Sequence, residues 1–108
     1  MIDVTEVVFN GRDGNNVLTL TQDGSPFQSD AISRTIVQAV DGTIIADSDT
    51  NPNTLSWNGA SLTMQLGSLQ VAAGVYLVRV IVFDPSNGKG LPIIHEASST
   101  RLKIKFLD

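Results

Sequence analysis

The sequence predicts an all-β fold, an antiparallel β-sandwich of seven to nine short strands in one domain spanning residues 1–108. Three observations carry this expectation. Val, Ile and Thr number 11, 9 and 9, whereas the helix-surface residues Glu and Lys number only 2 and 3. Branched side chains suit a pleated surface better than a helix. Turn chemistry recurs about every eight to twelve residues, the spacing of a sandwich. No long amphipathic helix competes, and strands do not alternate with helices.

Each element can be justified in order. Val4 to Phe9 is a short apolar run, closed by Asn10-Gly11 and Asp13-Gly14-Asn15-Asn16. These residues tolerate positive φ and favour turns. Val17 to Thr21 alternates, with Leu18 and Leu20 on one face, and Asp23-Gly24-Ser25-Pro26 closes it. Gln28 to Val40 is ambiguous: Ile32, Ile36, Val37 and Val40 fit helical spacing, with Ser29 or Asp30 as caps. Asp41-Gly42 between Thr35-Ile36-Val37 and Thr43-Ile44-Ile45 instead predicts strand, turn, strand from Arg34 to Ala46. A single helical turn before Arg34 is compatible with that reading.

Asp47 to Asn53 reads as a polar loop. Leu55 and Trp57 precede a turn at Asn58-Gly59, and Leu62, Met64 and Leu66 then alternate with polar residues, as in a half-buried strand. Leu69 to Gly74 reads as a corner. Val75 to Phe83 is the strongest strand, and Asp84 to Gly90 reads as a hairpin loop. Leu91 to Ile94 begins the return strand and Thr100 to Leu107 ends it.

The two strongest strands have informative faces. Tyr76, Val78, Val80 and Val82 share one parity; Val75, Leu77, Arg79, Ile81 and Phe83 share the other. Both sets are largely apolar, yet a sandwich strand needs only one apolar face. The second set predicts a covered outer face, by a loop of this chain or by a neighbouring subunit. Leu77, Arg79, Ile81 and Phe83 are therefore the candidate interface. In the last strand, Leu102, Ile104 and Phe106 face the core while Arg101, Lys103 and Lys105 face outward. That row reads as a solvated face, or as lysines protecting an edge strand.

The corner Leu69-x₄-Gly74-x-Tyr76 has the shape of immunoglobulin-like sandwiches, in which a tyrosine here tucks into the core and bonds nearby backbone. It is preceded by Gly11-Arg12-Asp13-Gly14-Asn15-Asn16, Leu18-Thr19-Leu20, Asp23-Gly24-Ser25-Pro26-Phe27 and Asp41-Gly42-Thr43-Ile44-Ile45. It is followed by Arg79 to Asp84, Gly88, Gly90, Leu91-Pro92 and Arg101 to Phe106. In this order the chain resembles the immunoglobulin-like domains of tailed-bacteriophage tail and baseplate proteins, especially the N-terminal domain of baseplate upper proteins. The resemblance implies an immunoglobulin-like β-sandwich acting as a structural module. Its partners would be other phage structural proteins or copies of itself in a homo-oligomeric assembly, and its location the virion. One departure is that this sequence ends at Asp108, where such domains usually precede coiled or receptor-binding regions.

The inventory narrows the chemistry. Without cysteine there is no disulfide, thiolate nucleophile or cysteine-ligated zinc, and a single histidine, His95, removes most zinc enzymes and triads. A net charge of −4 argues against nucleic-acid binding. The run near Val75 to Phe83 is too short for a bilayer, no signal peptide is visible, and no membrane role is expected. Met1 at the start leads us to expect a complete chain made in the host cytoplasm. Asp47-x-Asp49-x-Asn51-x-Asn53 places oxygen ligands as calcium loops do, but Pro52 stands where the loop glycine belongs. His95-Glu96 lacks partners for a base or a metal, and no Gly-x-Ser-x-Gly elbow or phosphate loop occurs. No enzyme activity, metal or cofactor is expected. Trp57, among Asn51, Asn53 and Asn58, is the candidate ligand contact of an alternative reading, a small carbohydrate- or protein-binding module. Its competing role is to pack over the end of the sandwich.

Overall fold

The computed structural model describes residues 2–22 and 24–108. Met1, and Asp23 of the expected Asp23-Gly24 turn, lie outside the described residues. The strands are β1 (Ile2–Phe9), β2 (Asn16–Thr19), β3 (Thr21–Gln22), β4 (Ser25–Pro26), β5 (Arg34–Ala39) and β6 (Ile44–Asp47). There follow β7 (Leu55–Asn58), β8 (Ser61–Met64), one 3₁₀ turn (Gly67–Leu69), β9 (Gly74–Asp84), β10 (Asn87–Ile94) and β11 (Thr100–Leu107). Nine of these strands have four residues or more, and β3 and β4 form a separate two-stranded ribbon.

Alternation along the strands builds the core. Val78, Val80 and Val82 of β9 face inward together with Leu102, Ile104 and Phe106 of β11, all essentially without solvent contact. Leu62 and Met64 close over them from the other sheet, with Leu66 just beyond β8. Burying each such side chain contributes roughly 1.5–3 kcal/mol before chain entropy is counted. The larger sheet runs β1-β11-β9-β5-β6, with β10 also paired to β9, and the smaller runs β2-β8-β7. The two sheets pack face to face as an all-β sandwich. The corner tyrosine bonds nearby backbone and packs on the core. The Tyr76 hydroxyl donates to the Ala72 carbonyl at 2.7 Å, and its ring meets Phe106 edge-on at 5.7 Å.

Several sequence expectations change in detail. The sandwich is not antiparallel throughout, because β1 pairs parallel with β11, from Ile2 opposite Thr100 to Phe9 opposite Leu107. Strand β11 is consequently interior to its sheet, so its lysines guard no edge; β1 is the edge. The return strand begins at Asn87, not Leu91. The turn is only Pro85-Ser86, and the glycines that read as loop sit in a bulged β10 with Gly90 at φ 93°. Between Gln28 and Ser33 lies neither a helix nor a strand but one turn, closed by the Ile32 N–H on the Ser29 carbonyl at 3.1 Å. The hairpin at Asp41-Gly42 stands as expected between β5 and β6, with the Asp41 carboxylate accepting the Thr43 N–H at 2.9 Å.

Candidate functional site: the outer sheet face and the inter-sheet cleft

Register fixes which side chains share the outer face of the larger sheet. Arg34 stands beside Phe83, Ile36 beside Ile81 and Gln38 beside Arg79 on β5 and β9. On the other flank Lys103 stands beside Leu77 and Lys105 beside Val75. Strand β1 continues the rows with Thr5 beside Lys103 and Val7 beside Lys105.

One half of this face is covered by the chain itself. The Arg34 guanidinium lies 5.1 Å from the centre of the Phe83 ring and grips the Asp47 carboxylate with two hydrogen bonds of 3.0 and 2.5 Å. Arg79 holds Glu96 in the same forked manner at 2.8 and 2.6 Å. The backbone of Gly90, on β10 beside β9 in the same sheet, lies against the Ile81 and Phe83 side chains: a Cβ there would come within 2.8 Å of Ile81 and 3.0 Å of Phe83. Leu77, Arg79, Ile81 and Phe83 are all half-buried, with Gly90 of β10 against Ile81 and Phe83 and the Arg34 guanidinium over the Phe83 ring. Aliphatic arginine stems can shield apolar surface while their heads remain solvated.

The ion pairs leave marks on the carboxylates. Two hydrogen bonds from Arg79 hold Glu96 down at about 2, and Arg101, followed by Lys103, holds Asp3 at about 2. Arg34 likewise keeps the Asp47 carboxyl below the usual range.

The other half of the face is open. Val7, Phe9, Val40 and Val75 lie toward this end, four of the nine large apolar side chains exposed among the described residues, while the exposed Ile44 stands beside Gln38 in the row of Arg79. Val7 and Val75 flank the exposed Lys105, which has no ion-pair partner among the described residues. Phe9 and Val75 are the most open, at 55% and 58%. Sequence reading missed Val7 and Phe9. Their parity opposite the buried Val8 was the available signal, but the outward face of β1 stays hidden until its neighbour is known.

A second open surface lies between the sheets. The cleft holds about 670 Å³ and is lined by Val4, Glu6, Leu18, Leu20, Ile94 and Leu102 among others. Glu6 is half-buried there, and the Asn16 amide donates to its carboxylate at 3.1 Å.

Trp57 stands elsewhere, at the other side of the sandwich. Its indole N–H donates to the buried Thr35 hydroxyl at 2.9 Å, and its ring lies 5.3 Å from that of Phe27. Its half-buried ring packs against the core. The oxygen-rich loop after β6 is knitted internally: Asp47 is gripped by Arg34, and Asn51 accepts the Asp47 N–H at 3.3 Å. His95 and Glu96 are pulled apart in role, since Glu96 goes to Arg79 while His95 Nδ1 accepts the Ala97 N–H at 3.1 Å. Among the described residues no three His, Cys, Asp or Glu side chains gather as a metal site would require. Among the described residues no helix is long and apolar enough to cross a membrane.

In comparison with known proteins, no protein-family model matches the sequence. No curated protein matches it significantly either.

Proposed function

We propose that the chain is a structural assembly module of a phage or prophage tail or baseplate, working in the virion through contacts between β-sandwich faces rather than through catalysis. The observation that carries this reading is the open end of the outer sheet face. Val7 and Val75 flank Lys105 in register, Phe9 follows Val7 on the same face of β1, and Val40 and Ile44 are exposed farther across the sheet, whereas Ile81 and Phe83 are half-buried against Gly90 and Arg34. Contiguous apolar surface of this kind marks contact sites. Its order of turns and core positions, which resembles the phage tail and baseplate domains, supports the class of assembly. A copy of this chain is the simplest partner, and identical subunits usually close symmetrically.

The test is sedimentation velocity on the wild-type chain and on a Phe9→Lys, Val75→Lys double variant. Both positions are more than half exposed, so the variant keeps its core. We expect a closed oligomer for the wild type and at least a tenfold weaker association for the variant. A wild type that stays monomeric to about 1 mM, where a contact worth about 4 kcal/mol would register, refutes self-assembly through this face.

A further inference from the structure

Six strands face three, so the smaller sheet leaves one flank of the larger sheet uncovered, and the cleft lies on that flank. Its inner walls are core-parity side chains: Val4 and Leu102 from the large sheet, Leu18 from β2, with Leu20 and Ile94 beyond. Both strands that border it present unpaired main chain. Among the described residues strand β2 pairs with β8 alone. The Leu20 N–H donates to the Ala60 carbonyl at 2.9 Å, so alternation sends the groups of Leu18 toward β8 and those of Val17 and Thr19 to the open edge. On β1, the Ile2 and Asn10 N–H groups donate toward β11, which sends those of Asp3 and Thr5 outward. The third observation is charge. Glu6 is a half-buried carboxylate whose one side-chain partner among the described residues is the neutral Asn16 amide. The nearby cations are committed: Arg101 and Lys103 both hold Asp3, at 2.7 and 3.2 Å.

We infer that the cleft accepts an extended segment of another polypeptide, added as a strand to the open edge of β2, with apolar side chains inward and one Lys or Arg against Glu6. Each wall feature demands part of this occupant. The edge needs main-chain hydrogen bonds, the apolar walls need side chains at every second position, and Glu6 needs a cation. A fatty chain or sugar satisfies at most one of the three, whereas strand addition satisfies all. This deepens the assembly reading by giving the form of a second partner. It uses no residue of the open outer-face patch.

The probe is a fluorescein-labelled peptide, Thr-Val-Thr-Lys-Thr-Val-Thr-Val, titrated into the whole chain by anisotropy and by amide chemical shifts. We expect saturable binding, with the largest shifts at Val17 and Thr19. Replacing the peptide lysine by glutamate weakens binding at least tenfold, and Glu6→Lys reverses that preference. N-methylation of one alternate set of peptide amides abolishes binding while N-methylation of the other set leaves it, a result obtained on the unaltered protein. The Phe9→Lys, Val75→Lys variant binds the peptide as the wild type does, so failure here and failure of self-assembly are separate results. Absence of saturable binding, equal affinity for the lysine and glutamate peptides, or tolerance of both N-methylated sets overturns the inference.

Discussion

The pair Trp57 and Thr35 offers a quantitative test of what the tryptophan is for. Its indole N–H reaches the Thr35 hydroxyl at 2.9 Å across the sandwich, and Thr35 is only 2% exposed. Trp57→Phe removes this bond and part of the contact with Phe27, for an expected cost of about 2–3 kcal/mol. Thr35→Val keeps the shape at the buried site but leaves the indole N–H of the half-buried ring without its partner, for about 1 kcal/mol. In the double variant neither orphan remains, so its cost falls short of the sum by about 1 kcal/mol. For a chain of this length that shortfall is about 4 °C in Tm. Thermal and urea unfolding of the four proteins measure it directly. Costs that add to within about 0.3 kcal/mol would refute the claim that the indole is anchored between the sheets. A confirmed coupling makes Trp57→Ala a poor probe of ligand binding, since it removes an anchor of the fold together with any surface role.

Two further outcomes follow from the packing and the charges. Gly67→Ala is expected to cost about 3 kcal/mol, at the upper end for overpacking, because a Cβ there would stand 2.2 Å from the Arg12 carbonyl oxygen and 2.8 Å from that of Phe9; unfolding within about 0.5 kcal/mol of wild type refutes the close approach. Asp3 and Glu96 are both held near 2 in the fold against 3.8 and 4.5 for ordinary carboxylates, so their stabilising effect is complete above about pH 4.5 and drains away as pH falls toward 2. Glu96→Gln is expected to flatten the acid limb of stability against pH, and an unchanged limb shows that the Arg79 fork contributes nothing.

The parts of this fold that the sequence displays are those set by parity and by local turn chemistry. Val78, Val80 and Val82 had to share a face, as did Leu102, Ile104 and Phe106, because the side-chain period of a strand is two. Asp41-Gly42 and the Leu69 to Tyr76 corner were legible for the same local reason. The misreading at Gly88 and Gly90 is instructive. Glycines that mark a loop by composition serve here inside a strand, where one lets the backbone close onto Ile81 and Phe83. Pairing partners were not legible at all. Nothing in Asp3-Val4-Thr5 announces a parallel partner almost a full chain length away. The position of β11 as an interior strand, the open patch around Val75 and the exposure of Glu6 in the cleft all depend on that pairing. Leu77, Arg79, Ile81 and Phe83 share one parity, and each is half-buried in the fold. Which half of that face the arginines would cover is a matter of three-dimensional reach.

The parallel seam between Ile2–Phe9 and Thr100–Leu107 also governs when the molecule can fold. Strand β11 separates β1 from β9 and supplies Leu102, Ile104 and Phe106, so neither the sheet nor its core is complete until that segment has left the ribosome. Until then β1 waits with a bare edge and with Val4 and Val8 unpacked, while β5, β6 and the hairpin of β7 and β8 can already form from neighbouring residues. Closing so distant a pairing makes folding slow relative to the chain's size. The interval in which β1 is synthesised but unpaired is the period of greatest exposure to stray strand addition.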